Sequence, residues 1–172
     1  MAILRGRQTY FLAVKARERL ENTLEQYQSE GEPDNWRLDW VACVALLRAI
    51  GHVLHKEDGK HDDVSKAVIK NFWEKSGFKN EDIFKNFIER DRNNILKAMD
   101  FGVVLKPYTY SLEGDKNLSF EQKSERYGMF HGLLREDEDA LDTINKALES
   151  WNKHLCIIEN AINENSCTPY ES

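Results

Sequence analysis

Three side chains in one stretch have the types and spacing of an anion or proton-transfer site. Arg48, His52 and His55 are four and three residues apart, so on a helix they lie within about 60° of one another. Two imidazoles beside a guanidinium can bind an anion or exchange protons near neutral pH. This polar face either forms such a site or simply reaches solvent at the edge of the fold.

A second stretch places a carboxylate where a helix should be apolar. On a helical wheel Asp91 falls inside an apolar stripe, with Arg92 at its edge; the stripe consists of Phe84, Phe87, Ile88, Ile95 and Met99. A carboxylate directed at a core is destabilising unless it is neutralised. Asp91 therefore either forms a buried ion pair or lines a cleft. If the two helices pack together, Arg48 is the expected partner of Asp91.

We expect these charges to form one binding surface between the two helices. Its predicted members are Arg48, His52, His55, Asp91, Arg92, Asn93 and Lys97. No metal site is predicted, because the two histidines lack a carboxylate one turn away on the same face. No cofactor is predicted either, because the sequence has no glycine-rich phosphate loop and no nucleophile elbow.

The composition is typical of one globular domain. The chain has 172 residues, of which 41% are hydrophobic and 31% charged, with a net charge of −6. This charge gives no overall attraction to nucleic acid or to an anionic membrane. The apolar run from Val41 to Leu47 is too short to span a bilayer, and the N-terminus does not resemble a signal peptide. Three cysteines without C-x-x-C spacing favour a reducing, cytoplasmic location.

Hydrophobic periodicity and the scarcity of proline and glycine predict a mainly all-α bundle of about five helices in one domain, 1–172. The first four helices are expected at 9–28, 36–56, 62–75 and 81–99. The second is apolar around most of its circumference, which predicts a central position. Gly51 within it predicts a close approach by a neighbour.

The last third of the chain changes character. Val103 to Tyr110 is β-branched and aromatic, which predicts a short extended or β-hairpin insert near 103–118, with a short helix near 120–127. A fifth helix then has an apolar seam: Leu141, Ile144, Leu148, Trp151, Leu155, Ile158 and Ile162. This seam packs either inside the bundle or against a second copy. Residues 165–172 are expected to form a frayed, disordered tail.

The segment Arg92-Asn93-Asn94-Ile95-Leu96-Lys97 resembles the Arg-Asn-x-x-x-His motif of the HEPN superfamily. The resemblance implies an all-helical homodimer and, in catalytic members, a metal-independent endoribonuclease whose Arg and His act on the RNA backbone. Lys97 occupies the position of the family's histidine, and lysine, with a reference pKa of about 10.4, is a poor proton carrier at neutral pH. Trp40 with residues 46–56 and this motif also resembles a bacterial family of similar length.

The residues and the resemblance together predict a non-catalytic, HEPN-like homodimer that binds a small ligand or a protein partner and does not act at a membrane. The alternative is a metal-independent endoribonuclease of toxin or defence type, in which Arg92 stabilises phosphate charge and His52 or His55 is the base; RNA is then the substrate. A toxin–antitoxin or mobile-element association fits either case. A third possibility is an assembly protein that uses the 141–162 seam.

Overall fold

The computed structural model describes residues 4–30, 35–75, 77–78, 81–98, 100–109, 125–131 and 138–166. These residues form a helical bundle with one two-stranded antiparallel sheet, as the sequence predicts. The elements are α1 (Arg5–Glu30), α2 (Trp36–Lys56), α3 (Asp63–Lys75), α4 (Arg90–Ala98), β1 (Val103–Thr109), β2 (Glu125–His131) and α5 (Ala140–Ser166). All seven contribute to one apolar core.

The helix α2 is central, because it packs against each of the other four helices. Its inward side chains are completely buried: Trp40, Cys43, Val44, Leu47, Ile50 and Leu54. A Cβ placed on Gly51 would lie only 2.9 Å from the ring of Trp151 on α5. Gly51 therefore allows the close approach that the sequence predicts.

The apolar composition of α2 is also typical of a membrane-spanning helix. By length and composition, Trp36–Lys60 is the one stretch of the described residues that could cross a membrane, with a mean hydropathy of 1.4. Core helices of soluble proteins pass the same test, and burial of α2 among four helices accounts for its hydropathy.

The helix α1 begins earlier than its own sequence predicts, because another part of the chain caps it. The turn that follows α2 contains Asp58, whose carboxylate accepts hydrogen bonds from the backbone N–H groups of Arg5 and Gly6 at 2.9 and 2.8 Å. These amides have no partner within a helix, so a carboxylate at this position stabilises the first turn. Asp58 is buried, and it joins α1 to the end of α2.

The predicted fourth helix consists of two parts. A π-helical segment, Ile83–Glu89, leads directly into α4. The predicted apolar stripe is confirmed across this change in pitch, since Phe84, Phe87, Ile88 and Ile95 are buried. Met99 lies outside the described residues.

The insert after α4 is a hairpin whose second strand comes later than predicted. β1 pairs with β2 in an antiparallel register, from Val103 opposite His131 to Thr109 opposite Glu125. The helix expected near 120–127 is wrong at residues 125–127, which belong to β2; residues 110–124 lie outside the described residues. The physical reason is pairing, because β1 needs a second strand to satisfy its backbone groups.

The seam of α5 lies inside the bundle. Its five central side chains are buried, those of Ile144, Leu148, Trp151, Leu155 and Ile158, and α5 packs against α1, α2 and α3. The alternative that this seam contacts a second copy is therefore wrong. Of the predicted tail, residues 165 and 166 are still helical, and 167–172 lie outside the described part of the chain.

Candidate functional site

A groove lies between α2 and α4, with a volume of about 410 Å³. It is lined by Val41, Val44, Ala45, Arg48, Ala49, His52, Arg92, Ile95 and Leu96. The side chain of Leu96, which is 63% exposed, brings an apolar group to the protein surface at the groove. The groove thus combines basic and aliphatic groups at the surface of the protein.

Helical spacing explains why these residues share one surface. Two rows of α2 border the groove, each with residues four apart. One is Val41, Ala45 and Ala49; the other is Val44, whose side chain is buried in the core, followed by Arg48 and His52. On α4, Arg92 and Leu96 are also four apart. Ile95, between them in sequence, is 4% exposed and belongs to the core. The buried face of α2 fixes this outer face in position.

The basic groups of the groove lack acidic partners. Within the described part of the chain, neither Arg48 nor His52 makes a hydrogen bond or an ion pair. Arg92 donates only to the neutral side-chain amide of Asn93, from Nη1 to Oδ1 at 2.9 Å. The lining residues that the structure describes include no carboxylate. Its positive charge is therefore available to an anion.

The other arginines whose side chains are described are all engaged. Five of them pair with carboxylates, in the pairs Arg5–Glu57, Arg7–Glu159, Arg17–Glu21, Arg19–Asp39 and Arg90–Asp91. Arg37 lies over the ring of Trp36, with 4.8 Å between its guanidinium carbon and the ring centroid. Arg48 and Arg92 are thus exceptional in an acidic protein, and both line the same groove.

Asp91 is buried, as the sequence predicts, but the prediction that Arg48 is its partner is wrong. Its Oδ1 accepts hydrogen bonds from Nε and Nη2 of Arg90 at 3.0 and 2.9 Å, whereas within the described structure Arg48 makes no hydrogen bond or ion pair with it. The reason is the direction of the side chain: a Cβ on Gly102 would lie 3.9 Å from Oδ2 of Asp91. Asp91 therefore faces the turn before β1 rather than the groove.

The structure brings three of the seven predicted site residues into the groove, namely Arg48, His52 and Arg92. His55 instead contacts Trp73 of α3, with 5.2 Å between the ring centroids. Lys97 is exposed and does not line the groove. Asn93 takes part only through its hydrogen bond to Arg92. Of the seven residues predicted to form one surface, three therefore line the groove.

One polar cluster has no counterpart in the sequence analysis. His154 is buried on α5, and its Nε2 lies 3.0 Å from Oε1 of Glu81. The Ser150 hydroxyl donates to Oε2 of the same carboxylate, at 3.0 Å. Because Glu81 is about seventy residues away in sequence, no local pattern could reveal the cluster. The serine hydroxyl donates to the carboxylate and makes no hydrogen bond to the imidazole in the described structure, so this is not a nucleophile and base pair.

A second such cluster joins α1 to α5. Arg7 is 8% exposed and donates from Nε and Nη2 to both carboxylate oxygens of Glu159, at 3.0 and 2.7 Å. Its Nη1 donates to Oδ1 of Asn152 at 2.6 Å. The bond to Glu159 raises the pKa of Arg7. This paired cluster supports the packing of the two helices.

The described residues contain no group of three or more His, Cys, Asp or Glu side chains that could hold a metal ion. In comparisons with known proteins, no family model matches the chain. The search of curated proteins gives no match, and the search of solved structures gives none either.

Proposed function

We propose that this protein is a non-catalytic binding module that holds an anionic ligand in the α2–α4 groove. The observation that carries the proposal is the presence in one groove of two arginines, Arg48 and Arg92, that pair with no carboxylate among the described residues. A guanidinium presents donors in a planar array that matches a phosphate or a carboxylate. His52 can add a third donor beside them.

The charge of the rest of the molecule supports this assignment. A net charge of −6 opposes anion binding at most of the surface, so a local cluster of unneutralised arginines stands out. The exposed position of Lys97, outside the groove, favours a binding role. Because Lys97 lies outside the groove, it cannot take part with Arg92 in a chemical step there. The HEPN resemblance would require a histidine at the position of Lys97 for such a step.

Homodimerisation, which the HEPN resemblance implies, stays part of the proposal. The α5 seam is occupied within the chain, so a dimer contact has to use another surface. Sedimentation equilibrium of the purified protein tests this, and a monomer at all concentrations would contradict it.

Isothermal titration with pyrophosphate at low ionic strength tests the binding function. We expect Arg48→Ala and Arg92→Ala to weaken binding about tenfold or more each, because a hydrogen bond to a charged group contributes roughly 1.5–3 kcal/mol. Lys97→Ala is the matched control, since Lys97 is a cation on α4 outside the groove. It should leave the affinity nearly unchanged. Equal losses in all three variants, or no binding by the wild type, would contradict the proposal.

A second candidate function is a metal-independent endoribonuclease. The specific observation that favours it is that His52 and Arg92 line one groove, where an imidazole could act as base and a guanidinium could stabilise phosphate charge. Incubation of the protein with RNA in EDTA distinguishes the two functions. Cleavage that is lost in both His52→Ala and Arg92→Ala would establish the nuclease. Intact RNA across a range of pH values would exclude it.

A further inference from the structure

The walls of the groove indicate which kind of anion it accepts, and this inference rests on the proposed function. Among the described residues that line the groove, every side chain apart from the three basic ones is aliphatic: Val41, Val44, Ala45, Ala49, Ile95 and Leu96, of which Val44 and Ile95 are buried in the core. Bases are usually recognised by aromatic stacking and by hydrogen bonds to their edges. The lining residues that the structure describes include no aromatic ring and no amide or hydroxyl side chain. An aliphatic group suits these walls better than a base does.

Along α2 the groove is aliphatic at its N-terminal end and basic further on, where Ala49 lies between Arg48 and His52. Val41, Val44 and Ala45 occupy the first turn of its groove face, and Arg48 and His52 follow in the next two turns. At 1.5 Å per residue, Val41 and His52 are about 16 Å apart along the helix axis. An occupant that matches this order has a charged head at one end and an apolar chain at the other.

Small side chains leave room for that chain. Ala45 and Ala49 lie in the row that begins with Val41, and a larger residue at either position would fill part of the groove. Leu96 from α4 adds an apolar wall that is 63% exposed. Covering this side chain with an aliphatic chain would remove apolar surface from water, which is favourable.

We propose that the ligand is a soluble phosphate monoester with a single unbranched aliphatic chain. The guanidinium groups of Arg48 and Arg92 bind the phosphate, with His52 beside it, and the chain lies along the aliphatic part of the groove. A phosphate monoester carries close to two negative charges at neutral pH, which matches two arginines better than one carboxylate does. The volume of about 410 Å³ lies within the usual range of roughly 300–1,000 Å³ for small-molecule sites.

Calorimetric titrations with inorganic phosphate, butyl phosphate and octyl phosphate, below micelle-forming concentrations, test the inference. Each fully buried methylene strengthens binding by up to about fourfold. Because the groove is open to solvent, we expect octyl phosphate to bind at least tenfold more tightly than butyl phosphate. Octanol, which lacks the charged head, should bind far more weakly than octyl phosphate.

A variant with a larger side chain in the aliphatic part of the groove distinguishes the contribution of the alkyl chain to the affinity from that of the phosphate. Ala45 is exposed on α2, so Ala45→Leu should preserve the fold. We expect it to abolish the advantage of the octyl chain, so that octyl phosphate and butyl phosphate bind with the same affinity. Ala67→Leu, at an exposed alanine of α3, is the matched control and should bind all three ligands as the wild type does.

The titrations distinguish failure of the chain inference from failure of the anion-binding function. If the three phosphates bind with equal affinity and Arg48→Ala weakens all of them, the chain inference is overturned and the anion-binding function stands. If none of them binds, both are overturned. Co-sedimentation with phosphatidic acid vesicles, without any binding of octyl phosphate, would overturn the soluble ester in favour of a membrane lipid.

Discussion

Arg90 and Asp91 are neighbours in sequence and form an ion pair whose carboxylate is 3% exposed. The helix α4 thus supplies a guanidinium to its own buried carboxylate. Successive helical residues differ by about 100° in direction, so Asp91 faces the interior while Arg92 faces the groove. Asp91 does not pair with Arg48, so this carboxylate does not neutralise the positive charge that Arg48 brings to the groove.

Loss of Arg90 should destabilise the fold strongly. Arg90→Ala leaves the carboxylate of Asp91 buried without its guanidinium, and we expect a loss of about 3 kcal/mol in the free energy of unfolding, measured by urea denaturation. Arg48→Ala is the control; since Arg48 is exposed and makes no ion pair in the described structure, its loss should stay within about 0.5 kcal/mol. Similar losses in both variants would show that Asp91 does not depend on Arg90.

The contact between Gly51 and Trp151 makes a second prediction. Alanine normally stabilises a helix by about 1 kcal/mol relative to glycine, but here its Cβ would lie 2.9 Å from Trp151 and 3.2 Å from Trp73. We therefore expect Gly51→Ala to lower the free energy of unfolding by about 1–3 kcal/mol. Gly59→Ala, whose Cβ would meet nothing closer than 3.6 Å, should be nearly neutral. A stabilised Gly51→Ala variant would contradict this packing.

The hydrogen bonds of Asp62 predict that the folded protein loses stability in acid. The backbone N–H and the hydroxyl of Ser65 donate to its carboxylate at 2.7 and 2.8 Å. These bonds, with a smaller effect of His61, lower the pKa of Asp62 from 3.8 to about 2. Because the folded pKa lies below the unfolded one, the stabilisation is complete above about pH 4 and is lost as the pH falls towards 2.

The free energy of unfolding of the wild type and of Asp62→Ala, measured from neutral pH to pH 2, tests this. The difference between them should be largest near neutral pH and should shrink below pH 4. Ser65→Ala keeps the backbone donor but removes the hydroxyl, so in an NMR titration the pKa of Asp62 should move part of the way back to its ordinary value. A difference that grows in acid would contradict the sign of the effect.

The cysteines should differ in reactivity. Burial raises the pKa of the Cys43 thiol to about 12, whereas Cys156 is exposed. In a Cys167→Ser background, a thiol reagent at pH 8 should label one cysteine in the native protein and the second only after unfolding. Cys156→Ser in the same background should leave no rapidly reacting thiol. Rapid labelling of Cys43 in the folded protein would show that α2 is not held in the core as described.

Local periodicity predicts the five helices of the bundle, although a short helix is also expected over residues 125–127, which belong to β2. It does not predict the contacts that connect distant segments. The spacing of Leu148 and Leu155 identifies the buried seam of α5 because that signal lies within one helix. The start of α1 depends instead on Asp58, more than fifty residues away. β2 depends likewise on pairing with β1, and its own sequence, which contains Gly128, alternates only weakly.

The candidate site shows the same limit. The four-residue spacing of Arg48 and His52 places them on one face, as predicted, and Arg92 joins them because α2 and α4 pack. The aliphatic walls were not predicted, since Val41 and Leu96 are indistinguishable in sequence from core residues. His55 has the right spacing but faces α3, because a helix that packs on several sides directs neighbouring positions to different partners.

The most direct test of the anion-binding groove is to map phosphate binding by NMR on the ¹⁵N-labelled protein. We predict that the shift changes concentrate at residues 41–52 of α2 and 92–96 of α4, and that they disappear in the Arg48→Ala, Arg92→Ala double variant while its melting temperature stays close to that of the wild type. Shift changes centred on another surface, or unchanged binding by the double variant, would contradict the account.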